Sequence, residues 1–284
     1  RTASIGMILP GRGLASVSRS QSCFMDSYRH LVSIGLLVLA LPLLSCGSDE
    51  ESGPAPGRTL VEDYLRSDNY TRLVLEVDYV TEKQPYDASR QAIEDSLPEI
   101  VDKPDGVEVV MDGQLAPRGS NHVWTFEELH STGESTFDME TGENTKRIHV
   151  MFVDGSYEED TEESKVVGLE WQNRQIAIFK DTLEEGCQSS LPRIEDVVCR
   201  SAETTIWRHE IVHVLGLVDN PIEPQSDHLD EEHGKHCDND ECVMYWTYRG
   251  TEVFRQIRGR IDEGNEDAMG FDQNCLDDLA SVRE

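Results

Sequence analysis

Two imidazoles four residues apart, with a carboxylate beside the first, set the chemistry this chain can do. They stand in Arg208-His209-Glu210-Ile211-Val212-His213, followed by Val214-Leu215-Gly216-Leu217-Val218-Asp219. On a helix, residues i and i+4 share a face one turn apart, so His209 and His213 can reach one Zn²⁺ at about 2.0–2.1 Å. Glu210 would then face a water held on the metal. Zinc lowers the pKa of such a water toward about 7, and a carboxylate can take its proton as the water attacks a carbonyl.

The neighbouring residues strengthen that reading. Ser201 stands where a helix N-cap belongs, and Ile206, His209, Val212, His213 and Leu215 keep a helical period. Gly216, three residues past His213, can end the helix at positive φ. The chain can then turn back and bring Asp219 to the same metal. A purely structural amphipathic helix would account for neither Glu210 nor Gly216.

The third ligand is Asp219 or a histidine. Asp219 has the right spacing, and carboxylates do ligate catalytic zinc. The insert Asp227-His228-Leu229-Asp230-Glu231-Glu232-His233-Gly234-Lys235-His236 offers three more imidazoles, led by His228; histidine is the commoner ligand. At least two of the three are expected to lie in a solvated, acid-paired loop.

The pattern His209-Glu210-x-x-His213-x-x-Gly216-x-x-Asp219 resembles that of the metzincin zinc peptidases. Cys237-Asp-Asn-Asp-Glu-Cys242-Val-Met244-Tyr245-Trp246 resembles the segment carrying their Met-turn, which implies Met244 beneath the zinc. The same segment is similar to part of the archaemetzincin signature, Cys-x4-Cys-x-Met. The remaining cysteines of that signature, which build a second zinc site, are missing: position 220 is Asn and no Cys-x-x-Cys follows. The stretch also resembles one in bacterial lipoproteins of zinc-protease type, which carry a similar His-rich insert before it. The resemblance covers roughly the last half of the chain. Some relatives carry, two positions after the Met, a Tyr that assists the oxyanion; Trp246 stands there in this chain.

Residues 1–24 carry no structural signal, and Met25 reads as the true start. Residues 25–45 read as a signal peptide with its apolar core at Leu31–Leu44, too short to span a bilayer. Leu43-Leu44-Ser45-Cys46-Gly47 resembles a bacterial lipobox, which implies an acylated Cys46 and a lipid-anchored protein of the cell envelope. Residues 46–58 are a polar tether. The metallopeptidase domain is placed at 59–284, with an upper lobe to about 216 and a lower lobe at 217–284.

The chain holds 25 Lys and Arg against 56 Asp and Glu, a net charge of −31, over 284 residues. Nucleic acid and anionic bilayers would repel such a surface. Calcium has no ordered Asp-rich loop to bind.

An α+β class follows from the order of elements. Leu73–Val80 and Val107–Met111 read as strands, Asp87–Val101 as a helix closed by a turn at Lys103–Gly106, and Trp124–His130 as a short helix capped by Thr125. Three apolar runs, Ile148–Val153, Val166–Trp171 and Ile176–Phe179, read as strands ahead of the active-site helix. The metzincin resemblance implies a mixed sheet whose edge strand, at Gly168–Phe179, binds extended substrate. Thr251–Ile261 and Asp272–Val282 read as helices.

In an exported protein the nearby cysteines pair by proximity as Cys187–Cys199 and Cys237–Cys242, leaving Cys275 odd. A second, Cys-ligated zinc lacks enough suitably spaced cysteines. The expected function is a zinc-dependent endopeptidase acting on protein or peptide. The rivals are a binding lipoprotein with a structural or lost metal site, and a zinc amidase for a small non-peptide amide.

Overall fold

Apolar runs too short for helices and too continuous for surface loops form a central sheet. The computed structural model describes residues 56–188 and 191–283. The expected signal peptide, the Cys46 lipidation site and most of the tether lie outside them. In chain order the elements are α1 (Pro56–Leu65), β1 (Arg72–Val80), α2 (Asp87–Ser96), β2 (Val107–Leu115), β3 (Val123–Trp124), α3 (Phe126–Thr136), β4 (Thr145–Val153) and β5 (Ser156–Tyr157). Then come β6 (Gly168–Trp171), β7 (Gln175–Phe179), α4 (Lys180–Cys187), α5 (Pro192–Val214), α6 (Glu252–Asp262) and α7 (Gln273–Arg283). Residues 56–58, expected in the tether, already belong to α1.

The main sheet runs β2-β1-β4-β7-β6. Its first four strands are parallel, and β6 closes one edge antiparallel to β7. Strands β3 and β5 pair separately. The class is therefore α+β, with a mostly parallel sheet. Parallel strands are covered on both faces, and β4 and β7 are accordingly buried almost throughout.

Alternation splits the strand residues between two cores. Leu73, Leu75, Val77, Ile148, Val150, Phe152, Ile176 and Ile178 share one core with Val198, Ile206, Trp207 and Ile211 of α5. Phe152 meets Trp207 edge-on at 5.1 Å. Val80, Met151, Val153, Ala177 and Phe179 share the other core with Trp124, Leu129 and Trp171. Each fully buried aliphatic or aromatic side chain contributes about 1.5–3 kcal/mol. The second face also carries buried charge. Arg147 donates to Glu76 at 2.6 Å and His149 bonds Asp78 at 2.9 Å, so these acids serve a structural network.

Helix α3 starts where the sequence indicated. The Thr125 hydroxyl accepts from the Glu128 N–H, and the Glu128 carboxylate accepts from the Thr125 N–H, a full capping box. It extends farther than expected, to Thr136. Helix α5 departs more. Ser201, the expected N-cap, is buried within it, because the helix begins nine residues earlier behind Pro192 at its first turn. The earlier start lets Val197, Val198 and Cys199 extend the buried stripe. Two further ties hold this end. Cys187 and Cys199 form the expected disulfide, joining α4 to α5. Lys180 Nζ reaches Glu203 at 2.5 Å, and the Tyr86 N–H donates to the same carboxylate at 2.7 Å, which offsets a burial that pushes the Glu203 carboxyl upward.

The far end of α5 closes as the sequence required. Gly216 lies at φ 88°, its N–H bonding the His213 carbonyl, while the Leu217 N–H bonds that of Val212. This is a Schellman motif. A side chain at 216 would also meet Val61 of α1, with a Cβ 2.8 Å from Val61 Cγ2. All described elements lie within one unit, Ser52–Glu284. Among the described residues no helix is long and apolar enough to cross a membrane.

Candidate metal centre

Within α5, His209 and His213 present their Nε2 atoms 3.1 Å apart, with the rings edge to face at 4.7 Å. A third imidazole completes the cluster, and it is His236. Its ring stacks on that of His209 at 5.3 Å and meets His213 edge-on at 5.0 Å. One ligand atom from each of the three lies within 4.8 Å of the others. Two of the rings are oriented from behind. His209 Nδ1 bonds the Val243 carbonyl and His236 Nδ1 bonds the Gly234 carbonyl, each at 2.7 Å. A histidine whose Nδ1–H is engaged by a carbonyl carries its lone pair on Nε2, which is how metal-binding imidazoles are held. The donor set and its orientation fit Zn²⁺.

Glu210 is buried at 2 % exposure and lines a cleft of about 420 Å³ together with His213 and His236. The opposite wall is the edge strand β6. Gly168 makes that approach feasible. A Cβ there would stand 2.6 Å from Glu210 Oε1 and 2.7 Å from Ile206 Cγ2, so any side chain would displace the carboxylate or the strand.

A three-residue connection, Gln172-Asn173-Arg174, joins the paired Trp171 and Gln175, and its first two residues lie at positive φ, 59° and 50°. The Asn173 side-chain amide then donates to the carbonyls of His213 and Asn220, both at 3.3 Å, fastening the hairpin tip to the end of α5. Within this wall, burial pushes the Glu170 carboxyl up to about 7, against the lowering effect of the Asn173 N–H and of Lys235.

The first departure from the sequence reading concerns the expected third ligand, which is not brought into this cluster. Asp219 is exposed at φ 58°, in a turn where its N–H bonds the Ile222 carbonyl, and it is not in the histidine cluster. The turn after α5 leaves the Asp219 side chain exposed, while the next residue, Asn220, lines the cleft. His228, the alternative, is buried elsewhere: its Nε2 bonds Asp278 at 2.9 Å and its Nδ1 lies 3.4 Å from Cys237 Sγ. His233 is the acid-paired loop residue the sequence suggested, bonded to Asp230 at 2.7 Å and stacked on Trp246 at 3.9 Å. His236 was one of the three imidazoles of the insert, ranked behind His228. Its only distinguishing sign was its place directly before the Cys237–Met244 segment.

The second correction concerns the cysteines. Cys237 and Cys242 are not disulfide-bonded; both are buried thiols beside the third, Cys275. Cys242 Sγ lies 3.5 Å from Cys275 Sγ, and ligand atoms of Cys237, Cys242, Asp272 and Cys275 all fall within 4.8 Å of one another. Asp272 and Cys275 thus supply donors that the sequence reading found missing. Hydrogen bonds from Cys237 and Cys275 hold the Cys242 thiol well below the usual thiol range. Met244 is buried next to Val243, whose carbonyl orients His209, and its own carbonyl accepts from the Cys237 N–H at 2.9 Å.

No family model matches the chain, and no curated protein matches it. Two solved structures resemble it. The archaemetzincin of Methanopyrus kandleri aligns with TM-score 0.44 and 13 % identity over 75 % of this chain and 96 % of that one. A zinc-dependent peptidase from Methanocorpusculum labreanum aligns with TM-score 0.44 and 15 % identity over 72 % and 99 %.

Proposed function

We propose that this chain is a zinc-dependent endopeptidase whose metal is held by His209, His213 and His236. The observation that carries the proposal is the convergence of three imidazoles, two of them oriented by backbone carbonyls, beside Glu210 in a cleft walled by the edge strand β6. Bound there, zinc would polarise a scissile carbonyl and acidify a water. Glu210 accepts the proton of the attacking water and passes it to the leaving amine. The outer edge of β6 offers backbone groups to an extended peptide, the way a strand is added to a sheet, which favours peptides over a small non-peptide amide. Gly168 keeps that edge close to Glu210.

The Cys237, Cys242, Asp272 and Cys275 cluster would hold a second, structural metal. Four donors, three of them buried thiols, suit a closed site. The proposal extends to a lipid anchor at Cys46 and residence in the cell envelope; its support is the lipobox-like sequence alone.

The test is zinc content and caseinolytic activity of purified Cys46→Ser protein beside its Glu210→Ala form. We expect about two zinc ions per chain in both, with activity falling by about 10²–10⁴-fold on loss of the base. A folded parent that binds no zinc, or that holds it and cleaves no protein or peptide, would overturn the peptidase reading.

A further inference from the structure

One charged group in the cleft has no task in the proposed chemistry. Glu170 lies two residues beyond Gly168 on β6. The two are paired with Ile176 and Ile178 of β7, whose side chains enter the core shared with α5. Gly168 and Glu170 therefore face the same side, one pleat of about 7 Å apart. Since Gly168 abuts Glu210, Glu170 lines the cleft two residues along the strand from that contact, with His213, Asn220 and Lys235 in the same lining.

The carboxylate is held rather than loose. The Asn173 N–H donates to its Oε1 at 2.6 Å, and the Asn173 side chain is itself fastened to the carbonyls of His213 and Asn220. Its position is thus tied to the helix end that carries the metal-binding imidazoles. The nearby cations hold other partners at contact distance: Arg174 pairs with Glu134, and Lys235, whose charge acts on Glu170 from across the cleft, donates to Asn220 Oδ1 at 2.7 Å. A half-buried, oriented carboxylate without a cation at contact distance is costly to the protein alone, as its upward shift records. A ligand that brought a cation would relieve that cost.

We infer that Glu170 is the specificity-determining residue of the cleft, taking the Lys or Arg side chain of an extended peptide close to the scissile bond. The inference rests on the peptidase reading and deepens it. The chain's net charge of −31 acts in the same sense by repelling acidic peptides from the cleft as a whole. Glu170 adds what diffuse charge does not, a preference at one defined position. The contact exists in the ground state, so it acts mainly through KM.

The test uses the zinc-loaded full chain with N-acetylated, C-amidated quenched-fluorescence peptides, differing only by Lys, norleucine or Glu at each position flanking the cleaved bond. At one position the wild-type protein is expected to favour Lys over norleucine by about tenfold in kcat/KM, the scale of a partly desolvated charge pair. In Glu170→Gln that ratio collapses to near one, and in Glu170→Lys the preference turns to the Glu peptide. Zinc content and circular dichroism identify any variant that fails to fold; the charge-reversed variant gives a second, independent reading. Equal cleavage of Lys and norleucine peptides by the wild type, or a Lys preference that survives Glu170→Gln, overturns the role of Glu170 and leaves the peptidase reading standing. A zinc-loaded wild type that cleaves none of the peptides sinks the peptidase reading, and this inference with it.

Discussion

His209 and His213 stand one turn apart on a single helix and share a cleft with Glu210, whereas Cys237, Cys242, Asp272 and Cys275 come from two separate stretches and lie in the core behind that cleft. The first cluster has three neutral donors, a carboxylate beside it and a wall that leaves room for a substrate. The second has four acidic donors and no such room, its thiols wholly buried. Metal sites that do chemistry keep a coordination position open, and sites that hold a fold close it. The two are also connected. Cys237 follows His236 directly, and its N–H bonds the Met244 carbonyl beside Val243, which orients His209. The cysteine cluster and the third imidazole of the histidine cluster therefore share one loop.

The strongest way to break this comparison is to move the third ligand. His236→Ala should remove zinc from the cleft site alone and lower peptidase activity by about a thousandfold or more, since the metal supplies the Lewis acid and the acidified water. Asp219→Asn should leave metal content and activity within about twofold, as befits an exposed turn residue. Activity lost with Asp219 and kept without His236 would reverse the assignment of the ligand.

Loss of the closed site should act on stability first. Cys275→Ser is expected to reduce zinc from about two ions per chain to one and to lower the Tm by about 10 °C, because metal-binding free energy is folding free energy. Activity should fall less than in His236→Ala, through disorder of the His236 loop. A Tm and zinc content like those of the parent would mean that the three thiols hold no metal.

The smallest effect sharpens the account of the open site. Gly168→Ala should keep both metals and lower kcat by about tenfold, because a Cβ at 2.6 Å from Glu210 Oε1 must shift the base or the strand. Steady-state kinetics beside zinc analysis would show it. An unchanged kcat would mean that the wall yields without disturbing Glu210.

Much of this molecule was legible before any coordinates. The spacing of His209, Glu210 and His213 fixes their common face, because an α-helix repeats every 3.6 residues wherever it is placed. Gly216 stops that helix for a reason internal to its backbone, and the apolar runs at 73–80, 148–153 and 176–179 are strands because nothing else buries so many β-branched side chains in so few residues. Proximity paired Cys187 with Cys199, twelve residues apart, as found, though the same argument fails for Cys237 and Cys242.

Tertiary structure decided what depends on loops and on chain segments far apart. Asp219 looked suited to the metal by count alone, but a Schellman turn sets the exit direction, and this one points Asp219 at solvent. His228, His233 and His236 are chemically alike in sequence. Only the packing of residues 227–245 gives one to Asp278, one to Trp246 and one to the metal cluster. Cys237 and Cys242 are neighbours in sequence, yet Cys275 and Asp272, some thirty residues on, turn a presumed disulfide into a four-donor cluster. Glu170 lay on the edge strand expected from sequence, but only the fold turns it toward α5 and into the cleft. A helix carries its geometry in local periodicity, so sequence suffices for it; where loops return depends on the summed packing of the whole chain.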